Sequence, residues 1–387
     1  MKNFDFHNPT RIVFGLDTVA RLSTLVPEGA RVLILYGGAS AEKTGTLAEV
    51  RTALALGQRK VREFGGIEPN PSYETLMRAV AQVRSEKLDF LLAVGGGSVI
   101  DGTKFVAAAA LYDGEPWEIA ERGGANVQRA LPFGTVLTLP ATGSEMNSGG
   151  VVTKKATHDK LSFRSPLLYP QFSVLDPGKT FTLPARQVAN GLVDAFVHTT
   201  EQYLTYPAQA KVQDRFAEGL LQTLVEIAPQ ALASPDDYDT RANLMWTATL
   251  ALNGLIGAGV PQDWATHMIG HELTALYDID HARTLALVLP ALLDVQREQK
   301  RGKLLQYGER VWNITEGSDD ERIDAAIART RAFFEGLGLP TRLSVYQLGQ
   351  EAVEAVLQQL AARGMTSLGE HRDIDLARSR RILEAAL

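Results

Sequence analysis

A chain of 387 residues with 45% hydrophobic and 22% charged content is an ordinary globular composition, too long for one core, and it reads as two domains. The net charge of −6 implies no basic face and argues against nucleic acid as a partner, and the absence of Cys excludes disulfides, thiolate ligands and a Cys nucleophile. No apolar run reaches the roughly 18 residues a membrane span needs and the polar start MKNFDFHNPT has no signal-like stretch, so a cytoplasmic protein without a membrane partner is expected.

Short runs of β-forming residues come first in the chain: RIVF (11–14), RVLILY (31–36), LDFLLAV (88–94), GTVLTL (134–139) and FSVL (172–175). Several are separated by stretches of helical period, and that alternation predicts an α/β domain with a mainly parallel sheet over residues 1–184. Pro177, Gly178 and Pro184 mark the junction. Beyond it the spacing predicts helices over 187–204, 211–232, 239–257, 262–276, 284–298 and 320–336, an all-α domain over 185–387. The basic runs REQKRGK (297–303) and RSRR (378–381) read as solvated helix faces.

The run LDFLLAVGGGSVIDGTKFVAAAA (88–110) takes a buried strand into Gly95, Gly96, Gly97 and Ser98 and then into a helix. Glycines let the backbone approach a ligand, and the N–H groups and dipole of a helix start suit a phosphate. It is not GxGxxG, and it misses the P-loop because GTK stands where GK followed by Ser or Thr is needed; a purely structural turn is the competing reading. A second loop, GTVLTLPATGSEMNS (134–148), offers Thr138, Thr142, Ser144, Glu145 and Asn147 at a carboxyl end of the sheet, where open α/β folds bind ligands. TGSE also reads as a simple helix cap.

In the second half, Asp194 and His198 lie one helical turn apart, His267 lies in another predicted helix, and His281 follows a break marked by Asp278 and Asp280. An Asp and three His make a complete ligand shell for one divalent metal, and the donors suit Zn²⁺, Fe²⁺ or Mn²⁺ without choosing among them. Each residue alone is better read as a satisfied polar group of the core, and for the four together spacing does not separate the two readings.

The segments GGGSVIDGTK (95–104), TLPATGSE (138–145), GLVDAFVHTTEQY (191–203) and HMIGHELTALYDIDHA (267–282), with FGGIEPNPS (64–72) and LDP (175–177), resemble the iron-containing, or group III, alcohol dehydrogenase family. Within it the chain is most similar to the NADPH-dependent broad-range aldehyde reductase and butanol dehydrogenase branch, in the same order along essentially the whole chain. The resemblance implies a Rossmann-like dinucleotide-binding domain (1–184) followed by an all-helical metal and substrate domain (185–387). It assigns Asp194, His198, His267 and His281 to one metal and Gly95, Gly96, Gly97 and Ser98 to the diphosphate. It sets Thr138, Thr142, Ser144, Asn147 and Lys160 beside the ribose and nicotinamide.

Many NAD-using relatives in that family resemble one another in an Asp just after the strand that here ends at Tyr36. This chain has Gly37, Gly38, Ala39 and Ser40 there, with no carboxylate to repel a 2′-phosphate, so NADP(H) is expected, held in part by Gly37, Gly38 and Ser40. The implied reaction is hydride transfer between NADP(H) and small aldehydes or primary alcohols, with the metal as Lewis acid. His271, four residues beyond His267, is the candidate proton relay, with a pocket-wall role as the alternative. A homodimer is expected through the edge strand near RIVF. The rival is a glycerol-dehydrogenase-like or dehydroquinate-synthase-like NAD and metal enzyme. A zincin reading fails because HELTA (271–275) lacks the second His.

Overall fold

Among the described residues, six strands form one fully parallel sheet: β1 (Arg11–Phe14), β2 (Arg31–Tyr36), β3 (Lys60–Phe64), β4 (Phe90–Gly96), β5 (Phe133–Leu139) and β8 (Phe172–Leu175), in the order β1-β8-β5-β4-β2-β3. β6 (Gly149–Lys154) and β7 (Asp159–Arg164) form a separate antiparallel hairpin. These coordinates are a computed structural model that describes residues 1–157 and 159–387.

The central strands are apolar throughout because both faces of a parallel sheet are covered. Leu33 and Leu35 of β2 enter one core layer with Leu76, Val80, Phe105 and Val106, while Val32 and Ile34 enter the other with Leu47, Val50 and Leu54. The first layer is supplied by helices α2 (Tyr73–Glu86) and α3 (Gly97–Ala109), the second by α1 (Thr46–Ala55). The chain runs from β2 outward to β3 and then returns past β2 to β4 and onward to β5. The order therefore reverses between β2 and β4, the position where doubly wound sheets bind ligands beyond their carboxyl ends.

Among the described residues, nine further helices of ten or more residues follow: α4 (Ala185–Tyr203), α5 (Lys211–Ala233), α6 (Tyr238–Ala251), α7 (Ala265–Tyr277), α8 (His281–Val295), α9 (Arg301–Trp312), α10 (Asp319–Gly336), α11 (Gln350–Ala362) and α12 (Leu376–Ala385). α8 is the hub of the helical unit and packs against α4, α7, α10 and α12. Its sequence HARTLALVLPALLDV is buried from Thr284 to Leu293, as expected of a helix that is hydrophobic all round. Among the described residues, no helix is long and apolar enough to cross a membrane.

The chain packs as two units that alternate along the sequence. One comprises Met1–Phe6, Ala185–Pro229 and Gly254–Leu387; the other comprises His7–Pro184 and Gln230–Asn253. Helix α6 thus belongs with the sheet, packing on the short turn Pro177–Thr180 that follows β8, and Pro229 lies inside α5 where the units change over. The reading of REQKRGK as a solvated face is corrected by this packing. Lys300 and Lys303 are buried because carboxylates within the helical unit reach them: Asp263 and Glu370 for Lys300, Asp214 for Lys303.

Candidate metal and cofactor sites

In the helical unit, α4 is buried without interruption from Val188 to Tyr203, so polar residues there face protein rather than water. Asp194 and His198 lie one turn apart on it. The turn between α7 and α8 is formed by Asp278 in the left-handed region (φ 54), which ends α7 and lets His281 begin α8. The Asp280 carboxylate accepts hydrogen bonds from Arg186 (2.7 Å) and Asn190 (3.1 Å) of α4, fastening the turn over that helix.

The result is a convergence of four side chains. Ligand atoms of Asp194, His267 and His281 all lie within 4.8 Å of one another. Asp194 Oδ1 is 3.6 Å from His281 Nε2 and 3.7 Å from His198 Nε2. The His198 and His267 rings stack with centroids 4.8 Å apart. Donors each about 2.1 Å from a tetrahedral ion stand roughly 3.4 Å from one another, close to the separations seen here. Asp194 Oδ1 is buried and accepts no hydrogen bond among the described residues, which for a carboxylate oxygen calls for a cation. The donor set thus fits a divalent metal. His271 is also buried, its ring centroid 5.2 Å from that of His281 and 6.0 Å from that of His267.

A second rank of charge backs this cluster. The Glu201 carboxylate contacts His267 Nδ1 and accepts the His267 backbone N–H at 3.2 Å. Burial, and then the neighbouring Asp263 carboxylate, push the Glu201 carboxyl well above its ordinary range. Lys300 answers that excess negative charge, at 2.9 Å from Asp263 and 2.8 Å from Glu370.

In the α/β unit, the glycine turn joins β4 to α3 beside the reversal of strand order. No side chain caps the start of α3 and its first turn carries no acidic residue, so the helix start is suited to a phosphate. The glycines also have an internal reason to be small: a Cβ on Gly97 would lie 2.4 Å from Thr142 Oγ1, and one on Gly95 would lie 2.6 Å from Val99. The two expected cofactor loops are therefore in contact. Ser98 Oγ accepts the Asn70 N–H at 3.3 Å, and Lys160 Nζ donates to Asn70 Oδ1 at 2.9 Å, so Ser98 and Lys160 share one partner. Thr138 lies next to the end of β5; the following TGSE segment makes only a short turn (Ser144–Met146) in place of a longer capped helix. Gly37, Gly38 and Ser40 follow β2 on the other side of the reversal, and Glu42 is held by Arg51 at 3.0 and 2.8 Å.

Two participants escaped the sequence reading. Lys104 is fully buried and donates to Ser144 Oγ (2.8 Å), Asn147 Oδ1 (2.9 Å) and the Gly149 carbonyl (2.6 Å). Asp101 accepts from Ser144 Oγ and from the Val151 N–H. Burial pushes the Lys104 amine down to about 7, against the pull of the Asp101 and Glu145 carboxylates. Glu201 is the other. For Lys104 the available signal was a charged residue inside an otherwise apolar buried helix, VIDGTKFVAAAA.

Comparison with known proteins adds independent findings. The signature of the family described as iron-containing alcohol dehydrogenase matches residues 9–177, and that of the Fe-containing alcohol dehydrogenase family, C-terminal, matches residues 188–387. The chain is 63% identical over 388 residues to the NADPH-dependent aldehyde reductase YqhD of Escherichia coli (strain K12), covering 100% of both. It is 41% identical to the probable NADH-dependent butanol dehydrogenase 1 of Bacillus subtilis (strain 168), again covering 100% of both. Among solved structures, the NADH-dependent butanol dehydrogenase A of Thermotoga maritima is 36% identical, with a TM-score of 0.95 over 100% of this chain and 99% of that one.

Proposed function

The chain belongs to the iron-containing alcohol dehydrogenase family, and from that premise we propose that it reduces aldehydes to primary alcohols with NADPH at a divalent-metal centre. The observation that carries the reading is the buried Asp194 Oδ1, with imidazole nitrogens at 3.6 and 3.7 Å and no hydrogen bond of its own among the described residues. When bound, the cation polarises the carbonyl and the reduced nicotinamide supplies the hydride.

The chain's own residues do the rest. Asp194, His198, His267 and His281 hold Fe²⁺, Zn²⁺ or Mn²⁺. The N–H groups at the start of α3, exposed by Gly95, Gly96, Gly97 and Ser98, bind the diphosphate, while Thr138, Thr142, Ser144, Asn147 and Lys160 line the ribose and nicotinamide side. Gly37, Gly38 and Ser40 take the adenosine 2′-phosphate, helped by the engagement of Glu42 with Arg51. His271 gives an imidazole proton to the product oxygen, completing RCHO + NADPH + H⁺ → RCH₂OH + NADP⁺. Two copies associate through the edge strand β1, in the cytoplasm where NADPH is at hand.

The test is NADPH oxidation at 340 nm with butanal, before and after chelation, with the metal measured by elemental analysis. Activity that is lost on chelation and restored by Fe²⁺ or Zn²⁺ is expected, with kcat/KM higher for NADPH than for NADH. His271→Gln is expected to keep its metal and lose about 100-fold in kcat. Full activity in metal-free protein would refute the metal reading, and a preference for NADH would refute the nucleotide reading.

A further inference from the structure

We propose that Glu201 is the positioning residue of the metal centre: from α4 it grips His267 at both the ring Nδ1 and the backbone N–H, presenting Nε2 to the cation. The inference rests on His267 being a ligand, as proposed above, and it assigns a role to a residue outside the ligand set.

Glu201 follows Asp194 by seven residues and His198 by three, so α4 aligns two ligands and this carboxylate along one face. His267 is the third residue of α7, where a backbone N–H has no partner within its own helix. Glu201 Oε1 accepts that N–H at 3.2 Å while Oε2 meets the ring at Nδ1. A two-point hold on one residue restricts both the side-chain rotation and the ring orientation. An imidazole has two nitrogens, and a carboxylate that accepts the Nδ1 proton selects the tautomer whose Nε2 lone pair can bind a metal.

The surrounding contacts keep this grip in register. The Asp263 N–H donates to the Glu201 carbonyl at 2.8 Å, and Asp263 Oδ1 accepts the Ala265 N–H at 2.8 Å, so the segment entering α7 is tied to α4 at the same level. Lys300 takes Asp263 and Glu370 as its partners, which leaves the Glu201 carboxylate to the imidazole. The Glu201 side chain is only 2% exposed, so the contact is shielded from bulk solvent. Carboxylates that orient a metal-bound imidazole in this way typically contribute about 10- to 100-fold to metal affinity.

The experiment uses full-length metal-free protein and Co²⁺, with affinity from competition against a chromophoric chelator and geometry from the visible absorption of the bound ion. Wild type, His267→Ala, Glu201→Gln and Glu201→Leu are compared, and thermal melting of each metal-free variant reports folding separately. Glu201→Gln is nearly isosteric, so it tests the role even if Glu201→Leu does not fold. Expected are one Co²⁺ per wild-type chain, loss of binding in His267→Ala, and about 10- to 100-fold weaker binding with a shifted Co²⁺ spectrum in Glu201→Gln. Wild-type affinity and spectrum in Glu201→Gln, with or without a lower melting temperature, would overturn the proposal while sparing the ligand assignment. Failure of wild type to bind Co²⁺, or wild-type binding by His267→Ala, would overturn both.

Discussion

Lys104 shows how much one buried side chain can report. Its amine is pushed down to about 7 by burial, whereas in the unfolded chain it titrates near 10.5. Between those values the unfolded chain holds a proton that the folded chain has released, so this residue makes stability rise with pH across that window, by up to about 1.4 kcal/mol per pH unit. Below pH 7 both states are protonated and the full burial penalty remains. Lys104→Met removes the titration, so the urea-midpoint stability of wild type minus variant should climb from pH 7 to pH 9; a constant difference would show that the amine does not titrate there. This lysine was visible in the sequence only as a failed P-loop residue, because nothing in GGGSVIDGTK says that its side chain reaches Ser144, Asn147 and the Gly149 carbonyl. The Asp194, His198, His267 and His281 set was easier to read. Seven His in the chain leave few combinations, and the structure brings these four side chains together. Glu201 was silent for the opposite reason: a Glu in HTTEQY looks like a solvated position until packing around α4 buries it.

At the scale of elements, legibility followed burial on two faces. The five apolar runs read as strands are β1, β2, β4, β5 and β8. Missing were β3, whose KVREF carries the charges typical of a protected sheet edge, and the β6–β7 hairpin, whose polar positions Thr153, Lys154 and Asp159 blur the alternation. Helices α9 and α11 were also missed as periodic segments, since their charged faces dilute the apolar period, and α12 was signalled only by the basic run RSRR within it. The glycine turn between β4 and α3 was recognised, but its meaning is sharper in three dimensions. Gly97 is small because the Thr142 side chain occupies the space a Cβ would need, at 2.4 Å, and the backbone there is not in the left-handed region. Gly97→Ala must therefore displace the Thr142 loop or the start of α3. Overpacking of this kind costs about 1–3 kcal/mol, so the melting temperature should fall, and the KM for NADPH should rise because both cofactor loops move. A variant with unaltered melting and unaltered KM would mean that the two loops do not constrain each other.

For the molecule as a whole, the change from β-rich to helical pattern near residue 184 marks a change of secondary structure, while the packing units cross it. Helical period says that a segment buries one face, and is silent about which neighbour covers it. Helix α6 reads like its helical neighbours, yet Thr249 donates to Glu145 and Trp246 packs edge-on to Phe14 at 6.2 Å, both within the α/β unit. That packing creates a testable surface. β1 ends the sheet, so among the described residues one side of its backbone has no strand partner, and Phe14 and Trp246 are each 38% exposed. With Ile12, Ala242 and Asn243 they line a cleft of about 360 Å³. An edge strand flanked by exposed aromatics is a template for pairing, and two identical edges can satisfy each other about a twofold axis. Light scattering on wild type should accordingly give twice the 42.1 kDa chain mass, while Phe14→Glu combined with Trp246→Glu should give the single-chain mass, because two like charges at the strand end repel each other and cannot be desolvated without a partner. A wild-type monomer, or a double variant that stays dimeric, would rule out this edge as the contact.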